Sequence, residues 1–338
     1  MDCFEYTLYN MKKTMLLAAM AVMMLAGCKE NDTVFVLPSA GDLVLYRTDN
    51  MAASVAAASA DTLKALGINA VSVDHRYISA GDELKRTIGE LHKRGIALLG
   101  SADTDVVSAM FGCAQAGLDG FVCGMSDSLS VDELGAAVSE ARSATPAKLL
   151  MIADATSQEL FSAGFDANVS AEFTDSLAAV FCRDSSALKM VIADDEEYAG
   201  VPSGKASLRY VPDSVMNIGG GAAVAASAAV IATRGGMIVR QGQENNPSVR
   251  RLLRIHAAEP GLHSSSMSSY SDNEAYILEK VSGEDRYLLV LNVKDSTLAV
   301  PIPASWRNVP FTNLVTGKKG RAGGRMPVTP YELRILKK

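Results

Sequence analysis

The densest group of polar and aromatic side chains in the sequence is Asp74-His75-Arg76-Tyr77, which directly follows the apolar run Ala70 to Val73. A carboxylate, an imidazole, a guanidinium and a phenol in four consecutive positions can hydrogen-bond a hydroxyl-rich ligand and lie against one of its faces, so Asp74, His75 and Tyr77 are the candidate ligand contacts. The same four residues also read as a loop entering a helix. Asp194-Asp195-Glu196-Glu197 offers four carboxylates, but consecutive acids in a loop rarely converge on one ion, and the run reads as a solvated loop. Gly219-Gly220-Gly221 opens an alanine-rich helical stretch, where bare amides could cradle an anion or simply form a flexible loop. No lysine or Ser/Thr pattern of a nucleotide-binding loop follows it. No Gly-x-Ser-x-Gly and no Cys/His pairing supplies a nucleophile, and no spacing of Cys, His or acids predicts a metal site.

The elements that must hold these groups alternate regularly. Short β-type runs at Leu43 to Tyr46, Ala70 to Val73, Ala97 to Leu99, Gly120 to Cys123, Leu149 to Ala153, Phe165 to Val169, Leu208 to Val211 and Met237 to Arg240 are separated by segments of helical period. Eight consecutive βα pairs predict a (β/α)8 TIM barrel over residues 42–260, with functional groups at the C-terminal ends of its strands. After Gly261 only strands recur, at Ala275 to Lys280, Tyr287 to Asn292, Thr297 to Ile302 and around Tyr331 to Leu336. Residues 261–338 are therefore expected to form a small antiparallel β-sandwich, with Ser264 to Ser271 as a surface connection. The fold class is α/β.

Of 338 residues, 48% are hydrophobic and 21% charged, and the net charge is −6. This soluble profile excludes a disordered or multi-pass membrane protein, and it provides no basic surface for nucleic acid. Aromatics are 6%, with a single tryptophan, Trp306, a thin supply for stacking on sugar rings. Met11-Lys12-Lys13 begins a secretory-type signal: a basic start, an apolar run from Met15 to Ala26, then Leu25-Ala26-Gly27-Cys28. That last tetrapeptide resembles the lipobox of bacterial lipoproteins, in which the cysteine becomes the lipidated first residue. Cys28 is thus the expected lipidation site, with residues 1–28 as signal, residues 29–41 as a tether and Met11 as the better start. Lys29, Glu30, Asn31 and Asp32 resemble the signal that sends such proteins to the outer face of the outer membrane. Cys113, Cys123 and Cys182 remain as buried free thiols.

Several stretches in correct order resemble the alpha-amylase family of retaining glycoside hydrolases. They are Leu66-Gly67-Ile68-Asn69-Ala70-Val71, Leu91-His92-Lys93-Arg94-Gly95-Ile96, Leu118-Asp119-Gly120-Phe121, Leu150-Met151-Ile152-Ala153-Asp154, Phe165-Asp166-Ala167 and the run Arg234 to Glu244; Tyr287 to Asn292 and Pro330 to Ile335 resemble its C-terminal domain. The resemblance implies hydrolysis by two carboxyl groups about 5–5.5 Å apart, one as nucleophile and one as acid. It also shows where this chain departs. The nucleophile position falls on Gly124, the neighbouring arginine position on Val122, and the third carboxylate of Asp213-Ser214-Val215 on Val215. Asp127 lies three residues past the nucleophile position. The acid position falls on Asp154, one methylene shorter than the usual glutamate. Asp103 stands near the asparagine of the third-strand motif, which has no histidine here, so neither a calcium site nor any other cofactor is carried over. Between Leu99 and Leu118 there is room for one helix only, and the family's inserted subdomain is absent.

The resulting expectation is a lipid-anchored, alpha-amylase-like protein at the bacterial outer membrane, catalytically inactive and associated with an alpha-glucan or related glycan. Glycan-uptake proteins of that membrane are its expected partners, and the lipid anchor is its only membrane contact. Two alternatives stand beside it: an active alpha-glucan hydrolase with displaced carboxylates, and a scaffold subunit that binds no sugar.

Overall fold

Eight short apolar runs form parallel strands: β1 (Val44–Arg47), β2 (Ala70–Asp74), β3 (Ala97–Ala102), β4 (Gly120–Gly124), β5 (Leu150–Asp154), β6 (Ala167–Val169), β7 (Ala206–Leu208) and β8 (Met237–Arg240). They lie side by side in the order β7-β6-β5-β4-β3-β2-β1-β8, which is the order of a sheet rolled upon itself. The amide of Ile238 donates to the carbonyl of Arg209 at 2.8 Å, closing β8 onto the end of β7. This computed structural model describes residues 35–48, 51–124, 129–182, 200–263, 266–272 and 274–338. The signal, Cys28, Asp127 and the Asp194 to Glu197 run lie outside them. No helix among the described residues is long and apolar enough to cross a membrane.

The strands alternate with helices α1 (Ala53–Ala58), α2 (Ala60–Ala65), α3 (Asp82–His92), α4 (Val106–Gln115), α5 (Val131–Ser143), α6 (Glu159–Ser162), α7 (Ala171–Cys182), α8 (Asp213–Ile218), α9 (Gly220–Ala232) and α10 (Pro247–Ala258). Local chemistry fixes where some of them start. Ser130 and Glu133 form a reciprocal capping box on α5. Before α10, the Asn246 side chain accepts from the amides of Ser248 and Val249, and Pro247 occupies the first helical position, where its missing N–H costs nothing. Along each strand, alternate residues divide between two sides. Val44, Tyr46, Val71, Val73, Phe121 and Cys123 join the layer beneath the helices, while Leu45, Leu99, Val122, Ile152, Leu208 and Ile238 fill the barrel interior. Continuing that alternation, Arg47, Gly124, Asp154 and Arg240 end their strands on the interior side.

The C-terminal region contributes β9 (Met267–Ser269), β10 (Ala275–Ser282), β11 (Asp285–Asn292), β12 (Leu298–Pro301), β13 (Pro310–Asn313), β14 (Lys319–Arg321), β15 (Arg325–Val328) and β16 (Leu333–Lys337). Six of them pair in the order β14-β13-β16-β11-β10-β9, and β12 and β15 make a second, two-stranded sheet. Ile277, Leu288, Val290, Val328 and Trp306 form the sandwich core between them. The opposite face of the same strands, through Tyr276, Leu278, Tyr287 and Leu289, joins the core beneath the barrel helices. Residues Leu37–Lys338 are accordingly one compact unit.

Several expectations need correction. Part of the serine-rich segment, Met267–Ser269, is an edge strand pairing with β10, because main-chain bonding tolerates any side chain on an edge. β13, β14, β15 and α8 add to the expected elements, each being only three to six residues long. β7 occupies Ala206–Leu208 rather than Leu208 to Val211, since pairing with β6 sets its register. Cys182 is exposed, unlike buried Cys113 and Cys123. Gly221 serves packing: a Cβ there would stand 2.9 Å from the Tyr331 ring, so the glycine lets the sandwich close on the start of α9. α9 carries no charge and is buried along almost its whole length after Gly221.

Candidate functional site

Gly124 and Asp154, which the resemblance sets at the nucleophile and acid positions, are register partners at the ends of β4 and β5. Gly124 has no space for a side chain. An added Cβ would lie 2.5 Å from Asp103 Oδ1, 2.7 Å from Asp103 Cα and 2.8 Å from the Ala102 carbonyl oxygen. The end of β3 therefore closes over the position from which a nucleophile would project. Val122, matched by the resemblance to the arginine position, is buried in the barrel interior, and Val215, matched to the third carboxylate, is buried in the core beneath the helices.

Asp154 is held by Arg47, whose Nη1 donates to its Oδ2 at 2.5 Å. The other terminal nitrogen of Arg47 lies 4.0 Å from Asp103 Oδ1, so one guanidinium stands between the two carboxylates. Arg240, the register partner of Arg47, donates to Asp213 Oδ2 at 2.5 Å and lies over the Tyr210 ring at 5.0 Å. Burial pushes the Tyr210 phenol above its ordinary pKa against the pull of Arg240. The mouth is thus two Arg–Asp pairs flanking a half-buried phenol. Retaining hydrolysis requires two carboxyl groups facing each other across the cleft, whereas here Asp154 is bonded to Arg47 and Asp213 to Arg240.

Arg47, Arg240 and Tyr210 are the mouth residues that sequence reading misses. The available signal is a charged residue ending an apolar strand, as in Val44-Leu45-Tyr46-Arg47 and Met237-Ile238-Val239-Arg240. Arg47→Met is expected to lower stability by about 1–2 kcal/mol, because it strips a partly buried carboxylate of its cation. Adding Asp154→Leu should recover most of that loss in thermal unfolding, and purely additive losses would count against the pairing.

Asp74 and His75 stay in contact, His75 Nδ1 lying 3.4 Å from Asp74 Oδ1, whereas Tyr77 faces a different hollow. Asp74 Oδ1 and Oδ2 accept from Arg76 Nε at 3.0 Å each and Oδ2 from Nη2 at 2.5 Å, and Oδ1 also caps the Arg76 amide. The Arg76 guanidinium holds the Asp74 carboxyl below the usual carboxylate range. His75 Nδ1 lies 3.3 Å from the Ser101 carbonyl oxygen, and the residue lines a groove of about 310 Å³ against α4. Tyr77 lines a separate hollow of about 120 Å³ with Ala52, Ser79 and Glu83. Asp74 thus acts as the cap of the helical turn His75–Tyr77, and the other two residues face different depressions. No group of His, Cys, Asp and Glu among the described residues is arranged to hold a metal ion. Trp306 is buried in the sandwich, its Nε1 donating to Glu279 Oε1 at 3.0 Å.

No family profile matches the sequence, and no curated protein matches it either. Solved structures do match in fold. The maltogenic alpha-amylase AmyB of Thermotoga neapolitana is 14% identical with a TM-score of 0.73, over 89% of this chain and 99% of that one. An alpha-amylase of Geobacillus thermoleovorans, solved with acarbose, is 11% identical with a TM-score of 0.73 over the same shares. AmyP, solved with maltose, is 13% identical with a TM-score of 0.69, over 88% of this chain and 96% of that one. Barrel and sandwich are included together in these matches, and the chain has the fold of the alpha-amylases.

Proposed function

We propose that this chain is a lipid-anchored member of the alpha-amylase family that no longer hydrolyses glycans and instead associates with an alpha-glucan or related saccharide at the bacterial outer membrane. The observation that carries the loss of hydrolysis is Gly124, where β3 leaves no room for even a Cβ at the end of the strand that would deliver the nucleophile. Val215 and the Arg47–Asp154 pair support it, since a third carboxylate is replaced by a core residue and the remaining acid is bonded to a guanidinium rather than turned toward a leaving group. The glycan association is supported by the shared fold with proteins solved in complex with maltose or acarbose, which is an argument by analogy of fold.

The test is an assay of the full chain on soluble starch and maltotriose, reading reducing ends and equilibrium binding. The expected result is no hydrolysis with binding in the millimolar range or tighter. Hydrolysis would return the displaced-carboxylate enzyme, and absence of binding to every glucan would return the sugar-free scaffold. The anchor rests on Leu25-Ala26-Gly27-Cys28. Labelling with a radioactive fatty acid in a bacterial host is expected to mark the wild-type chain and to vanish in Cys28→Ser, with the protein moving from the membrane to the soluble fraction.

A further inference from the structure

On the outer side of the barrel's C-terminal end, between α2 and the turn after β8, lies a hollow of about 580 Å³, a volume typical of small-molecule sites. Its wall begins with Tyr46, which by strand alternation faces away from the interior where Arg47 points. The hollow is consequently separate from the barrel mouth. Tyr46 donates its hydroxyl to Glu244 Oε1 at 2.8 Å, and the Gly242 amide donates to Glu244 Oε2 at 2.8 Å. Burial, reinforced by Glu244, raises the Tyr46 phenol well above its ordinary pKa, so it remains a donor. Both carboxylate oxygens of Glu244 are therefore committed. Arg250 is anchored differently: its Nε donates to the Glu244 carbonyl oxygen at 2.9 Å, while its two terminal nitrogens make no bond within the described residues. Ser59, Thr62, Gln241 and Asn245 line the same hollow, and none of their side chains is hydrogen-bonded to another described residue. Met51 supplies an apolar wall.

We propose that this hollow binds a neutral saccharide unit, through the Arg250 guanidinium, the Gln241 and Asn245 amides and the Ser59 and Thr62 hydroxyls. Its charge selects the ligand class. Among the described residues lining it, Arg250 and Glu244 are the charged ones and they cancel, so these two offer a phosphate or carboxylate no net attraction. A sugar needs none. Its hydroxyls both donate and accept, which matches a wall of amides, hydroxyls and a guanidinium fixed at one end. The fixed end matters because an arginine already held through Nε loses less freedom on binding than a mobile one. The proposal rests on the glycan-associated reading and assigns it a place outside the barrel mouth.

The test is titration of the full chain with maltotriose and, separately, with inorganic phosphate, following amide chemical shifts and calorimetry. Maltotriose is expected to shift the Gly242 and Asn245 amides. Arg250→Gln should weaken its binding about tenfold and Asn245→Ala by a smaller factor, the second variant altering an exposed residue on which folding does not depend. Maltotriose shifts confined to Gly124, Asp154 and Tyr210, with binding unchanged in both variants, would overturn this site while leaving the glycan reading intact. Phosphate binding at Gly242 and Asn245 without any maltotriose binding there would overturn the saccharide assignment. No binding of maltotriose anywhere would overturn the glycan reading and this site with it.

Discussion

Gly124→Asp, which puts a carboxylate back at the nucleophile position, is expected to leave the protein inactive on alpha-glucans and to cost about 3 kcal/mol of stability, a loss of several degrees in the unfolding midpoint. The reason is geometric. The first atom of any side chain at Gly124 enters a space held by Asp103 Oδ1, Asp103 Cα and the Ala102 carbonyl oxygen, all within 2.8 Å. Two of those three atoms belong to the main chain and cannot swing aside. The added charge would also meet Asp103 directly. Asp103→Gly in the same chain removes the carboxylate and its repulsion but leaves the Cα of residue 103 and the Ala102 carbonyl, so it should restore less than half of the loss. Wild-type stability of Gly124→Asp in thermal unfolding, or starch hydrolysis by it, would contradict the closure of this position.

That expectation bears on the proposed loss of hydrolysis. A barrel that had lost only a nucleophile would keep the surrounding pocket. Here the neighbouring positions have been put to structural use: Val122 packs inside the barrel, Val215 packs under the helices, and Asp154 pairs with Arg47. Reversing one of them therefore opposes packing as well as failing to rebuild the chemistry, because a retaining mechanism needs both carboxylates in place at once.

The barrel is legible in the sequence because its signal is repeated. Eight apolar runs separated by helical periods specify parallel pairing, and the strands fall within a few residues of the predicted runs, β8 at the same residues. The residue types at the positions matched to the family's motifs are legible too, since glycine and valine carry no acid or nucleophile wherever they lie. Partnership across distance is not. Arg47 and Asp154 are 107 residues apart and meet only because β1 and β5 both end at the same mouth with the same facing. Asp74, His75 and Tyr77 show the converse: adjacency in sequence suggests one cluster, but in a tight helical turn Asp74 is bonded by Arg76 and Tyr77 lines a different hollow from His75. The short strands β13 to β15 escape for a third reason. At three or four residues each they are too short to stand out as periodic runs, and their place is set by the long strands β10, β11 and β16 that they extend or cover.

The joint between barrel and sandwich should make the protein acid-sensitive, and its lysine should be the most costly single side chain there to lose. Lys280 on β10 is almost wholly buried, and its Nζ donates to the Thr233 carbonyl oxygen at 2.8 Å and the Leu262 carbonyl oxygen at 2.7 Å, tying the end of α9 and the Pro260–His263 turn to the sandwich. Lys280→Met keeps the stem but leaves both carbonyls without that donor, a loss of about 3 kcal/mol at neutral pH. Beside it, His256 at the end of α10 is 6% exposed and stacks on His263 with ring centroids 3.9 Å apart. Burial first, then the neighbouring His263 and Lys280, hold His256 well below its ordinary value of 6.5, so the folded chain keeps it neutral. The unfolded chain binds that proton as the pH falls past about 6.5, and the folded chain does not. Stability is therefore constant in this respect above a pH of about 6.5 and declines below it, by about 1.4 kcal/mol per pH unit until the folded imidazole itself titrates. His256→Phe preserves the stacked ring and removes the proton site. Its unfolding midpoint should stay near wild type at a pH of about 8 and fall less steeply between about 6.5 and about 5; an identical acid slope in the two chains would assign the sensitivity to other groups.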